Sequence, residues 1–257
     1  MSSWRAMNKE ELEAQYSPSC WSHRMDRSAV VESHIRELTE ASALLIYFHG
    51  GYWQSLSKDL SGFMVPPLVK AGIIVVAIDY ALAPKGNMDL IVSQVCRSVA
   101  YITQQYPGMS VYICGHSAGA HLGAMVLCTD WAEYSVPPNI KGALLVSGIY
   151  DLRPIVHMSV NDPLQMTEDD AIRNSPMEFV NTMKGLDKSL EIVVAVAQYD
   201  SSEFRRQSQE YYQAIKAAGF NASFHDISNR DHFDIMERLM EEKYILTQVL
   251  LKMMSKK

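Results

Sequence analysis

Short, nearly unbroken apolar runs alternate with longer stretches of helical spacing along most of this chain. From Ala43 the run Ala-Leu-Leu-Ile-Tyr-Phe is apolar at every position, which fits a strand buried on both faces of a parallel sheet. Comparable runs at Ile73 to Ile78, at Val111 to Cys114, at Gly142 to Ser147, at Glu191 to Ala197 and at Ala222 to Ile227 predict five more strands. Between them, Leu90, Ile91, Val95, Val99 and Ile102 share one side of a helix from about Asp89 to Tyr106, which Pro107-Gly108 ends. A second helix follows from about His121 with Leu122, Met125 and Val126. A third places Phe204, Tyr211, Tyr212 and Ile215 on one face and stops at Gly219. Before the second strand, Pro66-Pro67 must kink or restart a helical stretch. A C-terminal helix is expected from about Phe233 to Met254, striped by Met236, Leu239, Met240, Leu246 and Leu250. This alternation predicts an α/β fold, a mostly parallel sheet with helices on both faces.

Two regions depart from the pattern. Residues 1 to about 40 are polar and weakly periodic, and read as an arm with one strand near Ala29 to Glu37. From Arg153 to about Ser189 the alternation lapses into short mixed segments. That stretch is expected to be a small helical, cap-like insertion within a single domain spanning 1–257.

Composition narrows the function classes. A chain of 257 residues that is 48% hydrophobic can bury an ample core, and its net charge of −6, with no block of like charges, argues against a nucleic-acid or anionic-membrane partner. The N-terminus lacks the apolar core of a secretory signal, and no run approaches membrane-spanning length. Cys20, Cys96, Cys114 and Cys128 show no C-x-x-C spacing, and three lie in apolar segments. They read as core thiols, which points to a reducing, cytoplasmic setting and away from structural zinc.

The third apolar run leads into Gly115-His116-Ser117-Ala118-Gly119 and then into helical spacing. A G-x-S-x-G sequence between strand and helix predicts a sharp turn that lifts a serine hydroxyl to the top of the sheet. Functional groups in such sheets gather at the loops after the strands' carboxyl ends, and those loops supply Ser117, Asp200 and His232 in that order. A serine hydroxyl becomes nucleophilic when an imidazole takes its proton, and a carboxylate must orient that imidazole. The order Ser, Asp, His is that of an α/β-hydrolase. Asp151 also follows a strand and is the main rival for the acid. His116 and His121 flank the serine too closely to be the base, His225 lies within a strand, and Asp231 adjoins His232.

An oxyanion hole is expected in the earlier loop His49-Gly50-Gly51-Tyr52. Its donors would be the N–H groups of Gly51 and Tyr52, joined by that of Ala118, with His49, Gly50 and Trp53 shaping the loop. Tyr52, Trp53 and Tyr150 are candidate walls of a substrate pocket, with Met158, Met166 and Met177 from the insertion.

The H-G-G-x-W string His49-Gly50-Gly51-Tyr52-Trp53, followed by Gly115-His116-Ser117-Ala118-Gly119, resembles the motif pair of the arylformamidases, or kynurenine formamidases, which are related to the hormone-sensitive-lipase group. The resemblance runs from about Tyr47 to His232, while the front of the sheet looks abbreviated. It implies hydrolysis of N-formyl-L-kynurenine to L-kynurenine and formate, in tryptophan breakdown. It also implies a small-molecule substrate; no cofactor or metal, no nucleic acid and no membrane partner is expected, and a homodimer is one option for assembly. A broad-range carboxylesterase or arylesterase would use the same machinery, and an inactive hydrolase-like binding protein is the third reading.

Overall fold

Strands rich in residues with no polar side chain can be covered on both faces, and β1 (Ala43–Phe48) is: all six of its residues are buried. Burying each of its large apolar side chains contributes roughly 1.5–3 kcal/mol. The computed structural model describes residues 8–10, 26, 28–29, 43–134, 137–183 and 186–255. The chain separates into two compact units, Met1–Ser42 and Ala43–Lys257. In the first, Asp26 Oδ1 accepts the N–H groups of Ser28 and Ala29, each at 3.0 Å. Most of the strand expected near Ala29 to Glu37 lies outside the described residues, and Ala29 itself is helical.

In the second unit β1 is followed by α1 (Val65–Lys70), β2 (Ile74–Ile78), α2 (Met88–Gln105), β3 (Ser110–His116) and α3 (Ala118–Cys128). Then come β4 (Ile140–Val146), α4 (Glu168–Arg173), β5 (Glu191–Ala197), α5 (Ser202–Ala217), β6 (Asn221–Ile227), α6 (Asp234–Glu237) and α7 (Ile245–Ser255). Among the described residues the strands form a six-stranded sheet in the order β2-β1-β3-β4-β5-β6, with every pairing parallel. One core lies on each face. Ile46, Phe48, Ile113 and Leu145 belong to the first, while Leu45, Cys114, Leu144 and Val193 belong to the second.

The termini of the helices follow their sequence signals. Asn87 caps α2 by accepting the N–H of Leu90 at 2.9 Å, and α1 begins at Val65 with Pro66 and Pro67 in its first turn, so the pair restarts the helix. The region 153–189 consists of 3₁₀ turns at Arg153–His157, Ser159–Asn161 and Pro176–Thr182 around α4. Thr167 and Asp170 close α4 with a capping box.

Two expectations need correction. β2 is half-buried along most of its length because it stands at the edge of the described sheet. The C-terminal segment is not one helix: α6 ends in a 3₁₀ turn, Glu241 is extended, and the chain restarts as α7. Tyr244 donates its hydroxyl to Ile235 O at 3.1 Å and Thr247 to Leu239 O at 3.1 Å, so the break is fastened by side chains. Met240, expected in the core stripe, is turned out to solvent by this break.

Candidate active site

The turn between β3 and α3 places Ser117 at φ 56° and ψ −121°, outside the conformations a serine prefers. Such a residue costs on the order of 1–3 kcal/mol and persists where its surroundings fix it. Here the fixing is by close backbone approach. A Cβ on Gly119 would lie 2.0 Å from Phe48 O, and one on Gly115 would lie 2.2 Å from Gly119 O, so only glycine fits at either position. Ser117 N–H donates to Val146 O at 2.9 Å, which ties the elbow to β4.

Asp200 follows β5 and is buried. Its Oδ1 accepts from His232 Nδ1 at 2.6 Å, while its Oδ2 accepts from Ser147 Oγ at 2.6 Å and from Ala197 N–H at 3.0 Å. Burial raises the carboxyl's proton affinity, but the His232, Ser147 and Ala197 donors outweigh it and hold the pKa below the usual value. With Nδ1 donating to Asp200, the ring's Nε2 is free to accept a proton. The His232 ring is packed by His116 and Phe204, at centroid distances of 4.7 and 4.8 Å. Asp151 is engaged elsewhere, accepting from Arg153 Nε at 2.9 Å and Nη2 at 2.8 Å. Asp231 accepts the N–H groups of Phe233 and Asp234.

Ser117 and His232 open on one cavity of about 500 Å³, which is also lined by His49, Gly50, Gly51 and Tyr52. Gly51, Tyr52 and Trp53 have φ of 98°, 49° and 60° in succession, which turns this loop's amides out of any ladder. Among the described residues no protein acceptor takes the N–H of Gly51, Tyr52 or Ala118. Ala118 is also the first residue of α3, where the helix dipole favours negative charge. His49 shapes the loop from below: its ring stacks on Tyr80 at 4.3 Å, and Tyr80 Oη donates to His49 O at 2.8 Å.

Of the three aromatic side chains expected on a substrate wall, Tyr52 lines the cavity and the other two do not. Trp53 is fully buried and donates Nε1–H to His121 Nδ1 at 3.2 Å; His121 in turn donates Nε2–H to Asn174 O at 2.7 Å. Tyr150 is fully buried against Tyr211, with centroids 4.1 Å apart. Both aromatics support the loops from inside. Met158 lines a second cavity of about 250 Å³ that shares Tyr52, whereas Met166 is buried and Met177 half-buried. Sequence reasoning missed Ser147, whose φ of 48° is as unusual as that of Ser117 and whose hydroxyl holds Asp200. Nothing in the run of β4 marks it.

The two histidines beside the serine make stability depend on pH. Burial, and next the neighbouring His232 ring, lowers His116 to about 3; burial lowers His121 to about 4, from an ordinary 6.5. As the pH falls below 6.5 the unfolded chain takes up a proton at each ring while the folded chain does not, so stability falls with acidification toward those values. Resistance to urea should therefore fall between neutral pH and about pH 5, and His121→Gln should lower the slope by about one proton. Equal slopes in the two proteins would contradict this.

Among the described residues no group of three histidine, cysteine or acidic side chains could hold a metal ion, and no helix is long and apolar enough to cross a membrane. The thiols of Cys96, Cys114 and Cys128 are free.

Comparison with known proteins gives a family profile, the alpha/beta hydrolase fold, that matches residues 45–235. Kynurenine formamidases of Danio rerio and Salmo salar are each 51% identical to this chain, with all of both chains covered. The kynurenine formamidase of Drosophila melanogaster is 32% identical over 82% of this chain and 73% of its own. Among solved structures, the esterase of the archaeon Pyrobaculum calidifontis superposes with a TM-score of 0.66 at 20% identity, covering 84% of this chain and 77% of its own, a likeness of fold.

Proposed function

Because the chain belongs to the kynurenine formamidase family of the α/β-hydrolase fold, we propose that it hydrolyses N-formyl-L-kynurenine to L-kynurenine and formate through a formyl-enzyme on Ser117. The observation that carries the assignment of roles is the 2.6 Å bond from His232 Nδ1 to Asp200 on the cavity that Ser117 enters. His232 Nε2 takes the proton of Ser117 Oγ as that oxygen attacks the formyl carbon. The carbonyl oxygen becomes an oxyanion, and the N–H groups of Gly51, Tyr52 and Ala118 stabilise it. As the intermediate collapses, the C–N bond breaks and His232 returns its proton to the departing arylamine nitrogen. Arylamines are weakly basic, so this protonation carries much of the cost of leaving. Water then attacks the formyl ester with His232 again as base, releasing formate and restoring Ser117.

Among the described residues Ser117 Oγ makes no hydrogen bond to the His232 ring. Catalytic bonds of this kind tighten when substrate fills the site. The fused logic of acid, base and nucleophile predicts a stoichiometric test. A fluorophosphonate should label Ser117, and formylkynurenine turnover should fall in proportion to the labelled fraction, to zero at full modification. Full labelling of Ser117 with turnover retained would place the chemistry elsewhere. A failure to label would revive an inactive, binding-only protein.

A further inference from the structure

The reaction cavity has an uneven electrical lining. Its floor and walls are aliphatic, aromatic, thioether, hydroxyl or imidazole groups, and among the described residues Glu237 is the one formally charged side chain on it, with no lysine or arginine beside it. Burial keeps the proton affinity of His49 and His116 low, so neither ring offsets that charge near neutral pH.

Glu237 also stands apart from its neighbours. It closes α6, the short helix that begins two residues after His232, so its position is tied to that of the base. The other charges of this segment are satisfied. Asp234 pairs with Arg230 at 2.7 Å and faces Arg238 at 3.8 Å, and Arg238 reaches Glu241 at 3.2 Å. Among the described residues no cation and no hydrogen-bond donor engages the Glu237 carboxylate, although Arg238 is adjacent in sequence. An uncompensated carboxylate at the mouth of a cavity with apolar walls attracts a cation more strongly than one in open water. Leu56, Leu60, Phe63 and Phe233 supply apolar surface in the same cavity, suited to an aryl ring.

We propose that Glu237 forms a recognition subsite for the ammonium group on the side chain of an arylformamide substrate, with that side chain's carboxylate left unmatched and turned to solvent. The proposal rests on the formamidase reading above. It makes the enzyme selective by charge: a substrate bearing only the ammonium binds best, the zwitterion less well, and one bearing only the carboxylate worst.

The test measures kcat and KM at low and high salt for four formamides: N-formyl-L-kynurenine, its α-carboxamide, its deaminated acid and neutral formanilide. In the wild type KM should rise in the order carboxamide, zwitterion, deaminated acid, and the spread should narrow with salt. In Glu237→Gln the spread should collapse, with KM for N-formyl-L-kynurenine up by about fivefold, the scale of an exposed ion pair, and kcat and formanilide turnover unchanged. The spread persisting in Glu237→Gln, formanilide suffering equally, or equal KM values in the wild type would each overturn the subsite alone. A wild type that leaves all four formamides intact while cleaving aryl esters would overturn the formamidase reading, and the subsite with it.

Discussion

Ser117→Ala should lower kcat/KM for N-formyl-L-kynurenine by roughly five orders of magnitude while leaving the fold in place. The hydroxyl is the proposed attacking atom, and it shares its cavity with the His232 imidazole that is held on the buried Asp200 carboxylate. Its removal costs little structurally. The N–H of residue 117 still reaches Val146 O, the flanking glycines still allow the close backbone crossings, and alanine bears the positive φ about as serine does. The circular dichroism spectrum and urea midpoint should match the wild type. Residual activity above about one per cent would contradict the assignment, since what remains without the nucleophile comes from binding and the amide donors alone.

Asp200→Asn should cost roughly 10³- to 10⁴-fold in kcat with a small change in KM. The reason lies in which atoms face which oxygen. Oδ2 is surrounded by two donors, Ser147 Oγ and Ala197 N–H, so the asparagine oxygen settles there and the amide NH₂ faces His232 Nδ1. Two donors cannot share that bond. The ring must therefore move its proton to Nε2, and the atom that should accept the Ser117 proton becomes a donor. Asp151→Asn should change kcat by less than about threefold, because Asp151 serves Arg153 and the loop after β4. The opposite ranking, measured on the same substrate, would mean that the acid has been misassigned.

Much of this architecture is legible in the residues because its causes are local. Continuous apolar runs are buried on both faces only in a parallel sheet, and the strands β1, β3, β4 and β5 fall where those runs lie. Gly115 and Gly119 advertise the elbow because no other residue fits there. The order of Ser117, Asp200 and His232 follows from the positions of strand ends. What is not legible depends on which way a side chain turns. Trp53 and Tyr150 sit in loops at the active edge, as sequence reading expects, yet both point inward: the φ of 60° at Trp53 carries its indole to His121, and Tyr150 stacks on Tyr211. Ser147 is one more small residue at a strand end, and only the geometry brings its hydroxyl to Asp200. The break before α7 is silent for another reason. The chain between Met240 and Tyr244 carries no proline or glycine to announce a stop, and the bonds from Tyr244 to Ile235 and from Thr247 to Leu239 that fasten the break depend on side-chain direction.

The choice between formamide and ester rests on the loop carrying Tyr52 and on the relatives, since the elbow, acid and base serve either bond. The measurement that tests it is the ratio of kcat/KM for N-formyl-L-kynurenine to that for a short aryl ester, taken with one preparation of the purified wild-type protein under identical conditions. The formamide should be the better substrate. An ester preference of several orders of magnitude would contradict the account and leave a carboxylesterase built on the same Ser117, Asp200 and His232.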